Sequence, residues 1–275
     1  MLDKRELMTR VGSMEQLAYA RRMIVAEGPA KGSNIVQVQC GELSYTVLLD
    51  RAIDIAGVTY KGIPISYISK TGLTTVYSYE EEGLGFLRSF TGGLLTTCGL
   101  THFGAPCTDN GEKLGLHGRA TSLRGSDICI SQEFEDGKYT IRISGKIRES
   151  RVFGENIVLK REIVSRLYDN IIEIHDSIEN EGFDTSPFML LYHCNFGYPL
   201  LDSNTKLIID TTETITRDLE AVKGLSNYRE CQAPEKSYKE QVFYHKPQVS
   251  ALGWANAGLK NDDLGIRVTL SYDTK

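Results

Sequence analysis

The chain lacks any apolar run of the roughly 18 residues that would cross a bilayer, so we expect no transmembrane helix. Its first residues, MLDKRELMTRVGSMEQL, contain no apolar signal segment, which favours a cytoplasmic protein. The Gly-X-Ser-X-Gly sequence of serine hydrolases is absent, and so is the Gly-Lys-Ser/Thr end of a phosphate-binding loop. With a net charge of −5 and basic residues scattered along the chain, we expect neither nucleic acid nor a membrane as a partner.

Closely spaced cysteines are also lacking. None of the six cysteines belongs to a Cys-X-X-Cys pair, so we expect reduced thiols that mostly fill the core. No metal and no cofactor is predicted. A zinc site built from His102, Cys107 and His117 is an alternative, although their spacing matches no strong zinc pattern. The cysteines are Cys40, Cys98, Cys107, Cys129, Cys194 and Cys231.

Helical periodicity is confined to about the first 25 residues of the chain. In this segment apolar side chains recur at steps of three and four residues, which predicts a short N-terminal helical arm. The recurring residues are Leu7, Val11, Met14, Leu17, Ala18 and Met23.

The rest of the chain consists of short segments rich in Val, Ile, Thr and Tyr and bounded by Gly, Asn or Asp, which is typical of strands. In one of them Tyr139, Ile141 and Ile143 share a face, and Asp136-Gly137 before it predicts a hairpin turn. Because helical segments do not alternate with these strands, we expect an all-β fold, a large antiparallel β-sandwich. Without a repeat or a clear linker, residues 1–275 are predicted to form a single domain. The predicted strands are residues 35–38, 43–49, 63–68, 128–134, 139–147, 157–165, 171–179, 189–194, 206–209 and 267–272.

Glycine is densest between residues 82 and 104, in a stretch that carries Arg88 and the pair Gly92-Gly93 and leads to His117. In a β protein such glycines mark bulges or places where backbone or ligand comes close. Since Arg and His side chains donate hydrogen bonds to hydroxyls, one interpretation is the floor of a sugar-binding cleft. The other is a set of tight turns with solvated charges.

A second polar centre lies in residues 190–201, where His193 and Asn195 are two positions apart and share a strand face. A lone histidine on an apolar strand usually belongs to the core, but Asn195 and the aromatic residues nearby favour a binding site. His245 follows another strand-like segment and either lines the same cleft or ends a strand. His175 is predicted to face solvent.

Taken together, these segments resemble the aldose 1-epimerase (galactose mutarotase) superfamily. Leu116-His117-Gly118 is similar to its Leu-His-Gly motif, and residues 191–197, LYHCNFG, resemble the segment that carries its catalytic acid. Residues 50–55, DRAIDI, and residues 90–100, FTGGLLTTCGL, resemble a bacterial branch of unassigned substrate, as does the segment from Glu240 to His245. The resemblance covers residues 25–275.

The resemblance implies a galactose mutarotase-like sandwich that interconverts the anomers of a free sugar without a cofactor. It gives His193 the role of general acid, and it gives Arg88 and His117 contacts to the sugar, supported by Asn195. Glu240 and His245 are two further candidates for substrate binding. A homodimer is left open.

One part of the family pattern is missing from the sequence. The resemblance implies a general base in a Glu-Pro sequence near the C-terminus, and no Glu follows Glu240. We therefore expect the C-terminal strands to be lacking, with Glu240 as the first candidate for a different base. The main alternative is a non-catalytic sugar-binding protein on the same fold. An epimerase of phosphorylated sugars and a cupin-like metal isomerase are further alternatives.

Overall fold

Antiparallel strands dominate the chain, as the computed structural model of residues 3–274 shows. The all-β class is therefore confirmed. The residues cluster in two compact units, of which unit 1 ends at Phe196 and unit 2 begins at Gly197. The single domain stays a prediction. None of the helices in the described residues has the length and apolar character needed to cross a membrane.

Unit 1 contains a five-stranded sheet in the order β1-β2-β3-β4-β5 and a four-stranded sheet in the order β12-β11-β10-β9. Two smaller ladders pair β6 with β13 and β7 with β8. The elements are α1 (Lys4–Met8), β1 (Ala18–Ile24), β2 (Asn34–Cys40), β3 (Leu43–Leu48), β4 (Asp54–Tyr60), β5 (Ile63–Pro64), β6 (Thr96–Leu100), β7 (Cys107–Asp109), β8 (Glu112–Leu114), β9 (Ser126–Glu135), β10 (Lys138–Ser150), β11 (Asn156–Arg166), β12 (Glu173–Asn180) and β13 (Met189–His193).

Unit 2 contains a three-stranded sheet in the order β14-β17-β18 and a two-stranded ladder of β15 and β16. Its elements are β14 (Thr205–Ile209), β15 (Thr211–Thr216), α2 (Leu219–Val222), β16 (Phe243–Pro247), β17 (Trp254–Asn261) and β18 (Ile266–Asp273). Short 3-10 helices, all in unit 1, cover Met14–Gln16, Val76–Ser78, Gly85–Arg88 and Ala120–Ser122.

The N-terminal helical arm is shorter than the sequence pattern predicts. Asp3 caps α1, and the 3-10 turn at Met14–Gln16 follows it. Helix beyond this turn is a wrong prediction, because β1 occupies the next residues, with Ala18 and Ala20 buried and Tyr19 between them half-buried. Since β1 pairs with β2 along its whole length, tertiary pairing overrides the local periodicity.

The hairpin of β9 and β10 confirms the predicted turn. Asp136 and Gly137 both have positive φ, 47° and 80°, as a two-residue hairpin connection requires. Ile141 and Ile143 in β10 are fully buried, so the alternation in the sequence gives the core face of this sheet. The strand predicted at residues 63–68 is reduced to β5. Beyond it Val58 N donates to the Ser66 hydroxyl at 2.9 Å instead of to a backbone carbonyl, and Ser66 and Ile68 form only isolated bridges among the described residues.

A buried ionic cluster joins the two large sheets of unit 1, and Arg161, whose side chain is fully buried, lies at its centre. The Arg161 guanidinium donates to Asp54 at 3.0 Å and, with two hydrogen bonds, to Asp176 at 2.9 and 2.7 Å. Asp54 also accepts from the backbone N and hydroxyl of Thr97 and from the hydroxyl of Thr121.

The two charges at the centre of this cluster affect one another. Burial raises the pKa of Asp54, and the Arg161 guanidinium and the threonine hydrogen bonds oppose this rise. Burial alone would lower the pKa of Arg161, but hydrogen bonding and charge from Asp176 raise it above its ordinary value. Hydrogen-bond donors thus reach both carboxyl oxygens of Asp54.

Edge strands β1 and β9 are joined by the side chain of Gln132. Its Oε1 accepts from the backbone N of Ala20 at 2.8 Å, and its Nε2 donates to the backbone O of Ala20 at 3.1 Å. The amide of Gln132 therefore takes the place that a neighbouring strand would have beside β1 at this residue.

The cysteines are only partly core residues, so the prediction that most of them fill the core is wrong. Cys40 and Cys98 are buried, Cys107 and Cys129 are exposed, and the other two are half-buried. All are free thiols. Cys107 and Cys129 lie on outward positions of β7 and β9, where the sequence gives no apolar alternation to reveal their exposure.

Thiol labelling should separate these groups. Burial raises the pKa of both Cys40 and Cys98 to about 12, so almost none of either thiol is ionised at about pH 8. We expect a thiol reagent to modify Cys107 and Cys129 in the folded protein and to reach Cys40 and Cys98 only after denaturation. Peptide mass spectrometry provides the measurement, and native labelling of Cys40 at the rate of Cys107 would contradict the expectation.

Candidate functional site

Two histidines that lie far apart in the sequence contact each other in unit 1. The ring centroids of His117 and His193 are 5.6 Å apart, and the rings meet edge to face at 78°. Both residues are half-buried. The proximity implied by the family resemblance is therefore confirmed, whereas a surrounding cleft and the chemical roles of the two imidazoles stay predictions.

Two phenylalanines complete a cluster of four rings around these histidines. Phe86 lies 5.3 Å from His117, Phe90 lies 5.4 Å from His193, and the two phenylalanine rings are 5.3 Å apart. Sequence reasoning did not single out either phenylalanine. The available signal was their spacing of four residues on either side of Arg88 within the glycine-rich stretch.

The ladder of β6 and β13 positions His193. His193 lies opposite Thr96, and Tyr192 lies opposite Thr97. Thr97 belongs to the buried ionic cluster, and the Tyr192 hydroxyl donates to Asp176 of the same cluster at 2.6 Å. The cluster therefore anchors β6 through Thr97 and β13 through Tyr192, directly beside His193.

Backbone contacts position His117. Its φ is +61°, its N–H donates to Gly104 O at 2.9 Å, and its carbonyl accepts from Gly99 N at 3.1 Å. A Cβ on Gly118 would lie 2.2 Å from the carbonyl of His102, so only glycine fits after His117. The Leu-His-Gly sequence thus fixes the backbone of this histidine as well as supplying its ring.

Gly92 and Gly93 lie where the backbone of the glycine-rich stretch passes against neighbouring chain. Gly93 has φ of +85°, and a Cβ there would lie 2.7 Å from Ile55 O and 2.9 Å from Ala56 Cα. Gly93 O also accepts from Asn195 Nδ2, which connects this close approach to the segment after His193. The glycine pair is required by packing of the backbone.

Replacing Gly93 with alanine should reduce the free energy of unfolding by about 2–4 kcal/mol, because left-handed strain adds to overpacking. Gly62→Ala is the matched control, since Gly62 has φ of +77° but nothing within 4 Å of its Cβ position. The Gly62 variant should lose about 1–2 kcal/mol of unfolding free energy, from backbone strain alone. Urea denaturation measures both values, and equal losses would show that the close approach contributes nothing.

Arg88 ends the 3-10 helix at Gly85–Arg88, between the two phenylalanines of the ring cluster. Its side chain is 75% exposed and forms an ion pair with Glu80, with Nε and Oε2 3.4 Å apart. An exposed ion pair of this kind is worth little. The guanidinium can therefore leave Glu80 for a ligand at small cost, and substrate contact by Arg88 stays a prediction.

Asn195 follows β13, and its amide is occupied by the backbone. Nδ2 donates to Gly93 O at 2.9 Å and to His193 O at 3.0 Å. These two bonds use both amide hydrogens, so hydrogen bonds from Asn195 to sugar hydroxyls would require breaking one of them. The geometry favours a bracing role beside His193, and direct substrate binding by Asn195 stays a prediction.

Glu240 and His245 belong to unit 2. The Glu240 side chain is 74% exposed and pairs with Arg217 at 2.9 Å. His245 in β16 lies opposite Thr214 in β15, and its Nδ1 is 3.1 Å from the Thr214 hydroxyl. Their roles as substrate-binding residues, and that of Glu240 as a base, stay predictions.

The zinc alternative has no support in the described residues, among which no group of three or more His, Cys, Asp or Glu could hold a metal ion. Cys107 is exposed in β7, and His102 instead places Nδ1 3.4 Å from the hydroxyl of Thr101. His175 is exposed, as predicted, and contacts Glu173.

A buried carboxylate, Glu149, lies behind the loop that holds His117. Its two oxygens accept from Leu100 N and from the Thr101 hydroxyl, each at 2.8 Å. The hydroxyl of Tyr79 donates to Gly118 O at 3.2 Å, and burial raises the pKa of Tyr79 to about 12. Both side chains therefore support the backbone near His117.

Comparison with known proteins places this geometry in context. A family model described as a domain of unknown function (DUF4432) matches residues 30–275. A comparison with curated protein sequences gives no match.

Solved structures resemble the chain in fold. A candidate aldose 1-epimerase from Klebsiella pneumoniae subsp. pneumoniae matches with a TM-score of 0.86 and 21% identity over 94% of this chain and 72% of that one. A galactose mutarotase-like protein from Clostridium acetobutylicum matches with a TM-score of 0.61 and 13% identity over 94% of this chain and 82% of that one. The predicted mutarotase-like sandwich is thereby confirmed as the fold.

Proposed function

We propose that this chain, which belongs to the DUF4432 family, binds a free sugar at His117 and His193 and interconverts its α and β anomers. The observation that carries this proposal is the contact between the two imidazoles, 5.6 Å apart within the four-ring cluster. The fold shared with a candidate aldose 1-epimerase and a galactose mutarotase-like protein supports it.

The reaction requires two proton transfers. A base removes the proton of the anomeric hydroxyl while an acid protonates the ring oxygen, so the bond between C1 and the ring oxygen breaks. Rotation about the C1–C2 bond and closure from the other face, with the roles reversed, give the second anomer. Imidazole serves as acid or base near neutral pH, so two adjacent histidines can supply both transfers.

We assign the acid to His193 and the base to His117. The position of His193 at the end of a ladder anchored by the buried ionic cluster supports the first assignment. The second is supported by the contact of His117 with His193. Half-buried Phe90 offers apolar ring surface to the C–H face of a sugar, buried Phe86 packs against it from within, and Arg88 is the proposed donor to the sugar hydroxyls.

A second candidate is a protein that binds a sugar without catalysing any reaction. A buried carboxylate favours it. Both oxygens of Glu149 are occupied by Leu100 N and the Thr101 hydroxyl, so this residue already has structural partners.

Polarimetry distinguishes the two candidates. Freshly dissolved α-glucose and α-galactose, and then deoxy and uronic sugars, are followed with and without the full chain, and calorimetry measures binding of each sugar. Faster mutarotation of any sugar supports the isomerase. Binding without acceleration supports the sugar-binding protein, and the absence of both effects across the panel would refute both candidates.

A further inference from the structure

A chain of four polar side chains in unit 2 has no part in the function proposed above. Arg229 Nε lies 3.1 Å from Tyr228 Oη, which lies 3.3 Å from Thr214 Oγ1, which lies 3.1 Å from His245 Nδ1. The four residues come from β15, β16 and the segment after α2. We call them the unit 2 relay.

Packing holds the relay together. The Tyr228 ring lies across one face of β16, with ring centroids 5.3 Å from Phe243 and 5.2 Å from His245. Gly224 lies against the side chain just before β16, since a Cβ there would lie 2.0 Å from Gln241 Oε1. The segment that carries Tyr228 is therefore fitted against β16.

The arginine fixes the first hydrogen bond of the relay, whereas the bonds of Thr214 to Tyr228 and to His245 can each run in either direction. The Nε–H of Arg229 can only donate, so Tyr228 Oη accepts from it. If Tyr228 then donates to Thr214 and Thr214 donates to His245 Nδ1, each hydroxyl in the relay accepts one bond and donates one. The reverse order would make Tyr228 Oη accept twice and leave its proton without a place in the relay. The first order puts the ring proton of neutral His245 on Nε2.

The outward atoms of the relay are then all hydrogen-bond donors. His245 Nε2 has no hydrogen bond to any described residue and is not buried, and the Nη groups of Arg229 likewise form no ion pair or hydrogen bond within residues 3–274. The Arg229 guanidinium carbon lies 5.4 Å from the centre of the Tyr228 ring, beside which His245 also lies. A positive charge and an N–H donor thus flank the same ring.

We propose that the unit 2 relay is a binding site for an oxyanion group, the carboxylate or phosphate of a sugar derivative, held by Arg229 Nη and His245 Nε2–H. A carboxylate or phosphate offers several acceptor oxygens and a negative charge, which is the complement of a guanidinium next to an N–H donor. Burial and then the charge of Arg229 lower the pKa of His245, which favours the neutral ring.

The tautomer of His245 is the first test. Long-range ¹H–¹⁵N NMR spectra of the full chain at about pH 7.5 report which ring nitrogen is protonated, and His245→Gln identifies the signal. Protonation at Nε2 supports the relay. Protonation at Nδ1 would overturn the proposal, because Nε2 would then be an acceptor that repels an oxyanion.

Ligand binding is the second test, and it does not depend on His117 or His193. Glucuronate, glucose 6-phosphate and neutral glucose are titrated while the His245 signal is followed. We expect one or both anions, but not glucose, to shift it, and Arg229→Gln to weaken that binding about tenfold or more. The two anions distinguish a carboxylate site from a phosphate site.

Arg267→Gln is the matched control, because it removes one positive charge from β18, which belongs to the other sheet of unit 2. It should leave binding within about twofold of the unaltered chain. Equal weakening by Arg229→Gln and Arg267→Gln would show general charge attraction and overturn the site. So would the absence of a His245 shift with both anions.

Discussion

Replacing Arg161 with methionine is expected to lower the free energy of unfolding by about 3–5 kcal/mol, a large part of the stability of an ordinary domain. The change leaves Asp54 and Asp176 buried without their shared guanidinium, and Thr97 loses one of its partners in the same step. The measurement is urea denaturation followed by circular dichroism.

Arg142→Met is the matched control for this variant. Arg142 also pairs with two carboxylates in the same sheet, Glu135 and Glu162, but its side chain is 31% exposed. The Arg142→Met variant should lose about 1 kcal/mol or less of its free energy of unfolding. Adding Asp54→Asn and Asp176→Asn to Arg161→Met should recover part of the loss by removing the unpaired charges. Equal losses of unfolding free energy for Arg161→Met and Arg142→Met would show that burial of the Arg161 ion pairs adds nothing to the cost of breaking them.

Replacing His193 with alanine is expected to reduce the rate of anomer interconversion by about 10²–10⁴-fold, the usual contribution of a positioned acid or base. The fold should persist, because the ladder of β6 and β13 is held through Thr97 and Tyr192 rather than through the His193 ring. Polarimetry with the best sugar from the panel measures the rate, and thermal unfolding verifies the fold.

His175→Ala is the matched control for the His193 variant. It removes the same side chain from an exposed position on β12, where the ring contacts Glu173. Its rate should equal that of the unaltered protein. If His193→Ala keeps full activity while His117→Ala loses it, His193 is not the acid and the assignment of roles fails.

Local patterns in the sequence predict most of the strands, because alternation and turn residues act over a few positions. The turn at Asp136-Gly137 and the buried face of Ile141 and Ile143 are examples. The predicted helical arm is too long because contact between distant residues, and not the local pattern, decides the structure at its end. Ala18 fits the helical period of the residues before it as well as a strand period, and only the pairing of β1 with β2 decides between them.

The candidate site is harder to predict, since its members come together through long-range contacts. The pairing of His117 with His193 is implied by resemblance to a family and by no local pattern. Arg161 lies between Lys160 and Glu162, a run of charges typical of an exposed strand, yet its side chain is fully buried. No signal in the sequence points to Tyr228, because its partners Thr214 and His245 come from two other segments.

The bond between Gln132 and Ala20 has a consequence for behaviour at high concentration. An open strand edge acts as a template on which other copies of a chain can add, and such growth leads to fibrils. At Ala20 both backbone groups of β1 are already occupied by one side-chain amide that reaches across from β9. A single glutamine thereby interrupts the β1 edge at one point and works against self-templated aggregation there.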